Sequence, residues 1–293
     1  MTILIPERRV EGRRLGRHIR HDPRSRDFPA EVASQIVTTM HPSVGLPLDQ
    51  GNVGACTAFA TCGALNTVPD EGDHVYTNAD ALALYHDETV LEGDPYPPND
   101  PGGTGLEVCK AAQNKGWIGS YTHTFDLQTA LQALVLRPVI VGMNWYDGFD
   151  TPNGKGIVSI SGGVRGGHEV CAFGVDAENE LVWFWNSWGT SYGLGGKFAM
   201  SWSTLDVLLS EQGDVTVPVV SAPVPTPTPP APTPTPTPVP TPTPVPTESL
   251  TVTFTDPTVI AAIARRAARR GETSQDWVVN DITRYITRGV GED

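Results

Sequence analysis

Cys56 stands where a cysteine could serve as a nucleophile. It follows Leu48-Asp49-Gln50-Gly51-Asn52-Val53-Gly54-Ala55, and after it Thr57, Ala58, Phe59, Ala60, Ala64 and Leu65 make a helix-compatible run without proline. The preceding glycines stop that helix from extending backwards, so the cysteine is expected to open it. There the unpaired backbone N–H groups and the positive end of the helix dipole favour thiolate over thiol. Gln50, six residues upstream, is a candidate to turn its amide NH2 towards the sulfur. With the backbone N–H of Cys56 it could hold an oxyanion.

A base and its orienter come much later. Gly166-Gly167-His168-Glu169-Val170-Cys171-Ala172-Phe173-Gly174-Val175 and Leu181-Val182-Trp183-Phe184-Trp185-Asn186-Ser187-Trp188-Gly189-Thr190 are two apolar runs joined at residues 176–180, which predicts a hairpin. Antiparallel pairing would bring His168, near the start of one, beside Asn186, at the end of the other. An imidazole so held can take the thiol proton and return it to a leaving amine, while the Asn186 carbonyl sets the ring tautomer. Trp188 would shield that hydrogen bond from water. Glu169 falls on the opposite strand face, where a buried acid is costly unless paired, and no catalytic role is assigned to it.

The three segments resemble, in order, the cysteine, histidine and asparagine motifs of the papain-like cysteine peptidases, with His168 and Asn186 lying 112 and 130 residues after Cys56, near the family's spacing. Two positions depart from the plant and lysosomal members: Val53 replaces a disulfide cysteine and Thr57 an aromatic residue. The departures point to a bacterial or viral type of member. The resemblance implies an α+β, two-lobed fold, a polypeptide substrate and no cofactor, with Gly102 and Gly103, beside Trp188, lining the substrate cleft. Supporting elements are helices over residues 80–85, 104–114 and 127–136 and a strand over 138–143. An alternative from another class is an inactive papain-like scaffold in a DNA- or partner-binding dimeric protein, and acyl transfer to an amine instead of water is a third.

Charge divides the chain of 293 residues, net −13, very unevenly. Eight Lys and Arg against five Asp and Glu make residues 1–40 a basic arm of +3, whereas six against 21 give −15 over 41–217, the expected peptidase domain. Such an acidic domain does not suit polyanions. The arm has few apolar residues and is expected to be disordered or loosely attached, with an inhibitory propeptide as its functional version. Four cysteines in so long a chain do not make a disulfide framework, and no Cys/His spacing suits a metal. The opening residues are too short for a signal-peptide core and no stretch approaches a membrane span, so cytoplasm or a virus-associated particle is the expected location, with no membrane partner.

Residues 218–247 are Pro-Thr repeats that favour polyproline II, a semi-rigid spacer of up to roughly 90 Å at about 3.1 Å per residue. Residues 248–293 then read as strand, helix, helix: Leu250 to Thr255 alternates apolar residues with threonine, Asp256-Pro257 starts a helix, and Thr273 with Asp276 resembles a capping box. So small a unit cannot hide its apolar face and is expected to form a homodimer. The order resembles the ribbon-helix-helix family. That resemblance makes Thr251, Thr253 and Thr255 candidate DNA base-reading positions and Ser274 a neighbour of a phosphate contact; DNA contact and dimerisation alone both stay open.

Overall fold

The computed structural model describes residues 2–67 and 74–220. The Pro-Thr spacer beyond residue 220, the ribbon-helix-helix-like module and Thr251, Thr253 and Thr255 lie outside the described residues.

A helical layer comes first. After a two-residue strand β1 (Thr39–Met40), helix α1 (Cys56–Leu65) is alanine-rich and apolar all round, and nine of its ten residues are buried, as a helix enclosed on every side requires. Helix α2 (Asn78–Glu92) starts at a reciprocal Thr77/Asp80 capping box and stops at the left-handed Gly93. Helix α3 (Gly105–Asn114) is capped by the Thr104 hydroxyl. Strand β2 (Ser120–Thr124) leads to α4 (Leu127–Leu136), which begins at an Asp126 cap. Strand β3 (Val139–Tyr146), the long β4 (Val164–Asp176), β5 (Leu181–Trp185), β6 (Lys197–Ser201), helix α5 (Trp202–Ser210) and β7 (Asp214–Val219) complete the unit. The helices expected at 104–114 and 127–136 and the strand at 138–143 are present; the one expected at 80–85 is the first half of the longer α2, whose buried face continues through the polar Glu88 and Thr89.

Among the described residues the strands form one antiparallel sheet in the order β2-β7-β3-β4-β5-β6, with β1 added against β4. The expected hairpin is β4–β5, in register at Cys171 with Trp185 and Asp176 with Leu181. Because side chains alternate along a strand, the sheet feeds two cores. Val139, Val141, Met143, Val170 and Ala172 enter a core shared with α4 and α5, whereas Ile140 and Cys171 enter one shared with α1, α2 and α3. The two cores are the two lobes. At Gly63 a side chain would press on Cys171, so α1 lies close against β4.

The N-terminal arm differs from expectation: it is not loosely attached. Leu15 is wholly buried and Arg14 and Arg17 nearly so, while Ile3 and Ile19 exchange backbone hydrogen bonds across a local bridge. The arm lacks apolar residues, but its arginines meet the acidic domain. Arg14 pairs with Asp100 at 2.6 Å and also with Glu7, Arg20 with Glu107 at 2.7 Å, and Arg8 and Arg17 with Asp147 and Asp214. Charge complementarity between distant segments replaces the apolar burial that the arm cannot supply.

Candidate active site

Cys56 is the first residue of α1. Its cap residue Ala55 makes no side-chain hydrogen bond, so no side chain competes for the first-turn N–H groups. The sulfur is nonetheless wholly buried, and burial raises the thiol pKa far above its ordinary value. The Glu169 charge raises it further, and hydrogen bonding from the backbone amides of Glu169 and Thr57 opposes the shift. The expectation of a favoured thiolate is corrected for this covered state: desolvation outweighs the helix end.

His168 is wholly buried, and its Nε2 lies 2.8 Å from Asn186 Oδ1. Asn186 follows the last residue of β5, and its own N–H donates to the Gly196 carbonyl at 2.9 Å. Its side-chain oxygen also accepts the Ser187 N–H at 2.8 Å, which holds the carboxamide facing the ring. Nδ1 of His168 has no hydrogen-bond partner. Burial lowers the imidazole pKa to about 3, against the Asn186 hydrogen bond, so the ring is neutral at pH 7.

Aromatic rings close over the imidazole. Trp188 stacks on it with centroids 5.0 Å apart, and Trp145 approaches edge-on at 4.7 Å. Trp145 carries no motif in the sequence; the one available signal is its place near the end of β3, on the face shared with Val139, Val141 and Met143. Arg165 packs its buried guanidinium over the Trp188 ring and pairs with Asp150 at 3.2 Å. Thr57, an aromatic position in much of the resembled family, donates to the buried Glu88 at 2.7 Å.

Gln50 is buried beside this assembly. Its Nε2 donates to the Val53 carbonyl at 2.7 Å, its Oε1 accepts from the Ser187 hydroxyl at 2.5 Å, and its backbone N–H donates to the Ser187 carbonyl at 2.9 Å. One of its two amide hydrogens is thereby used and the side chain is fixed.

The arm runs between Gly103 and Gly167. Gly103 donates to the Gly16 carbonyl at 2.8 Å and accepts from the His18 N–H at 2.7 Å, so Arg17 bridges it in parallel. On the other side Gly16 and Arg17 both donate to the Gly167 carbonyl at 3.1 Å. Trp188 donates through its indole N–H to Arg14 at 3.1 Å. Gly102, in the left-handed region, and Gly16 leave no room for a Cβ: at Gly102 it would strike the Gly16 carbonyl, and at Gly16 the carbonyl of Gly54. Gly102, Gly103 and Trp188 thus all contact the same arm segment.

Solved structures share this fold. Xylellain, a cysteine protease from Xylella fastidiosa, superposes with a TM-score of 0.58 at 18% identity, over 74% of this chain and all of that one. The digestive procathepsin L 3 of Tenebrio molitor gives 0.51 at 14% identity, over 66% of this chain and 73% of that one. The fold is that of the papain-like cysteine proteases. Neither the scan against protein-family models nor the search of curated proteins yields a match. Contacts join His168 to Asn186 and Trp188, and Gln50 to Ser187 between those two; Cys56, at the start of α1, has no hydrogen bond to His168. Among the described residues there is no cluster of His, Cys, Asp or Glu suited to a metal ion and no helix long and apolar enough to cross a membrane.

Proposed function

We propose that the chain is a cysteine endopeptidase kept latent by its own N-terminal arm. Cys56 passes its thiol proton to Nδ1 of His168 as the sulfur bonds to a peptide carbonyl carbon. The C–N bond then breaks, the amine leaves with the proton from His168, and the acyl group remains on sulfur as a thioester. Water, deprotonated by the same ring, attacks the thioester; the acid departs and the sulfur recovers its proton. Asn186 holds the ring, Trp188 and Trp145 keep water from that contact, and the free amide hydrogen of Gln50 with the Cys56 N–H receives the oxyanion. The observation that carries this reading is the 2.8 Å contact between Nε2 of His168 and Asn186. It leaves Nδ1 unpartnered, and the reading assigns that nitrogen to the Cys56 thiol.

Latency follows from the same contacts. While Gly16 and Arg17 occupy the line between Gly103 and Gly167, no second polypeptide can lie there. The test uses the full-length protein, unaltered and with the two most buried of the arm's four arginine anchors removed (Arg14→Ala with Arg17→Ala), exposed to iodoacetamide and to a peptide mixture. Selective alkylation of Cys56 and peptide cleavage are expected only after the anchors are removed. Cleavage should vanish with Cys56→Ala and fall about 10²- to 10⁴-fold with His168→Ala. Cleavage that persists without Cys56 overturns the reading. Absence of selective alkylation in the anchor variant leaves an inactive scaffold in its place.

A further inference from the structure

Gly142 on β3 pairs with Glu169 on β4 and, on its other side, with Asp214 on β7. Residues aligned across neighbouring strands project from the same face, so the row reads acid, glycine, acid. The missing side chain in the middle opens a slot, and the arm's Arg17 enters it. Its Nε lies 2.6 Å from where a Gly142 Cβ would stand, its guanidinium pairs with Asp214, and it donates to the Gln212 carbonyl at 2.9 Å. A second glycine makes room on the helical side: a Cβ on Gly105, the first residue of α3, would come within 2.6 Å of Glu169 Oε1 and 3.2 Å of Asp214 Oδ2.

The slot is built for a cation. Glu169 is wholly buried, and neither of its carboxylate oxygens has a hydrogen-bond partner. Among the described residues no Lys or Arg other than Arg17 pairs with Asp214, and none pairs with Glu169. An apolar side chain entering here would leave Asp214 without its countercharge and both carboxyl groups without a hydrogen-bond donor, a heavy penalty for any ligand. The mouth of the slot opens on the cleft, because the Arg17 backbone is hydrogen-bonded to Gly167, next to His168, and bridges Gly103. Whatever polypeptide replaces the arm on that line presents one side chain to the two acids.

Building on the peptidase reading, we infer that the slot between Glu169, Gly142 and Asp214 is a specificity pocket that selects an arginine or lysine side chain in the polypeptide substrate. Arg17 is its built-in occupant. The arm therefore does more than cover the nucleophile: it satisfies the pocket with the side chain that the pocket is shaped to receive. Glu169 and Asp214 are specificity determinants and take no part in bond making at sulfur.

Binding without turnover tests this. The full-length chain carrying Cys56→Ala, with Arg14→Ala and Arg17→Ala to free the cleft, is titrated by fluorescence anisotropy with labelled hexapeptides. The peptides differ only in having Arg, Gln or Leu at one scanned position. At one position the Arg peptide should bind about tenfold or more tightly than the other two, as a desolvated charge pair allows. Asp214→Asn, and separately Glu169→Gln as the shape-preserving second variant, should each remove most of that preference, with thermal melts confirming that both fold. Equal affinity for the three side chains at every position, absence of binding by any of them, or an Arg preference untouched by both substitutions overturns the pocket. Cys56 is absent from the measurement, so the pocket stands or falls separately from the peptidase reading, which the alkylation and cleavage experiment decides.

Discussion

His168 and Glu169 are neighbours on one strand, both wholly buried, and they face opposite ways into opposite chemistries. On the His168 side the surroundings are aromatic rings and one carboxamide, all from residues 145–188, and burial drives the imidazole pKa down to about 3. On the Glu169 side the surroundings are a second acid and a cation borrowed from the arm. There burial, reinforced by Asp214 and opposed by Arg17, drives the carboxyl pKa up to about 8. Desolvation is the largest cause in both cases and pushes both groups towards neutrality. The lesson lies in how each side is completed: the imidazole is oriented by the domain itself, whereas Asp214 has its countercharge only while the arm is in place.

The comparison is broken most severely by removing the arm's cation. Arg17→Ala leaves Asp214 without its countercharge beside the buried Glu169 and is expected to cost about 3–5 kcal/mol of stability, read by chemical denaturation, with Asn186 still bonded to His168. A smaller loss follows on the other side: Asn186→Ala strands Nε2 of His168 in an enclosed site, at about 1–3 kcal/mol, and leaves the contact between Arg17 and Asp214 in place. Gly142→Ala puts a methyl group 2.6 Å from the Arg17 Nε and 2.9 Å from an Asp214 oxygen. Overpacking of this kind costs about 1–3 kcal/mol and should loosen the arm, seen as faster alkylation of Cys56.

Acidity sharpens the comparison further, because the two groups respond with opposite sign. The lowered His168 pKa means that the unfolded chain takes up a proton near its ordinary value of 6.5 while the folded chain does not. Stability contributed on that side is present above pH 6.5 and is lost as pH falls from there towards 3. The raised Glu169 pKa works the other way: its contribution is complete below the ordinary value of 4.5 and is lost as pH rises through about 8. Stability measured against pH should therefore decline on both flanks, and Glu169→Gln should flatten only the alkaline decline between pH 4.5 and 8. A decline left unchanged in that variant would remove Glu169 as its source.

Much of this was legible in order along the chain. The glycine-terminated helix start at Cys56, the β4–β5 hairpin that sets Asn186 beside His168, and the bounds of α4 are local patterns, and local patterns survive in a single sequence. Alternation along β4 likewise separated Glu169 from His168 before any coordinates. What was not legible is long-range charge pairing. Arg17 meets Asp214 across 197 positions, and no periodicity links them. A count of apolar residues therefore misjudged an arm held by arginines. The acid-glycine-acid row was hidden for the same reason, since it exists only in the register of three strands, one of which, β7, lies far along the chain from the other two. Trp145 lacks a motif because packing against a ring asks only for a large flat side chain at the right height.

The tie between the first twenty residues and the far strand β7 bears on endurance. A globule that draws the counterion for its interior from its own leading segment is sturdiest while dormant, and releasing that segment strands an acid in the space it vacates. Wakefulness would then carry its own clock: the longer the gap stands without a visitor of the right sign, the nearer the protein comes to unravelling.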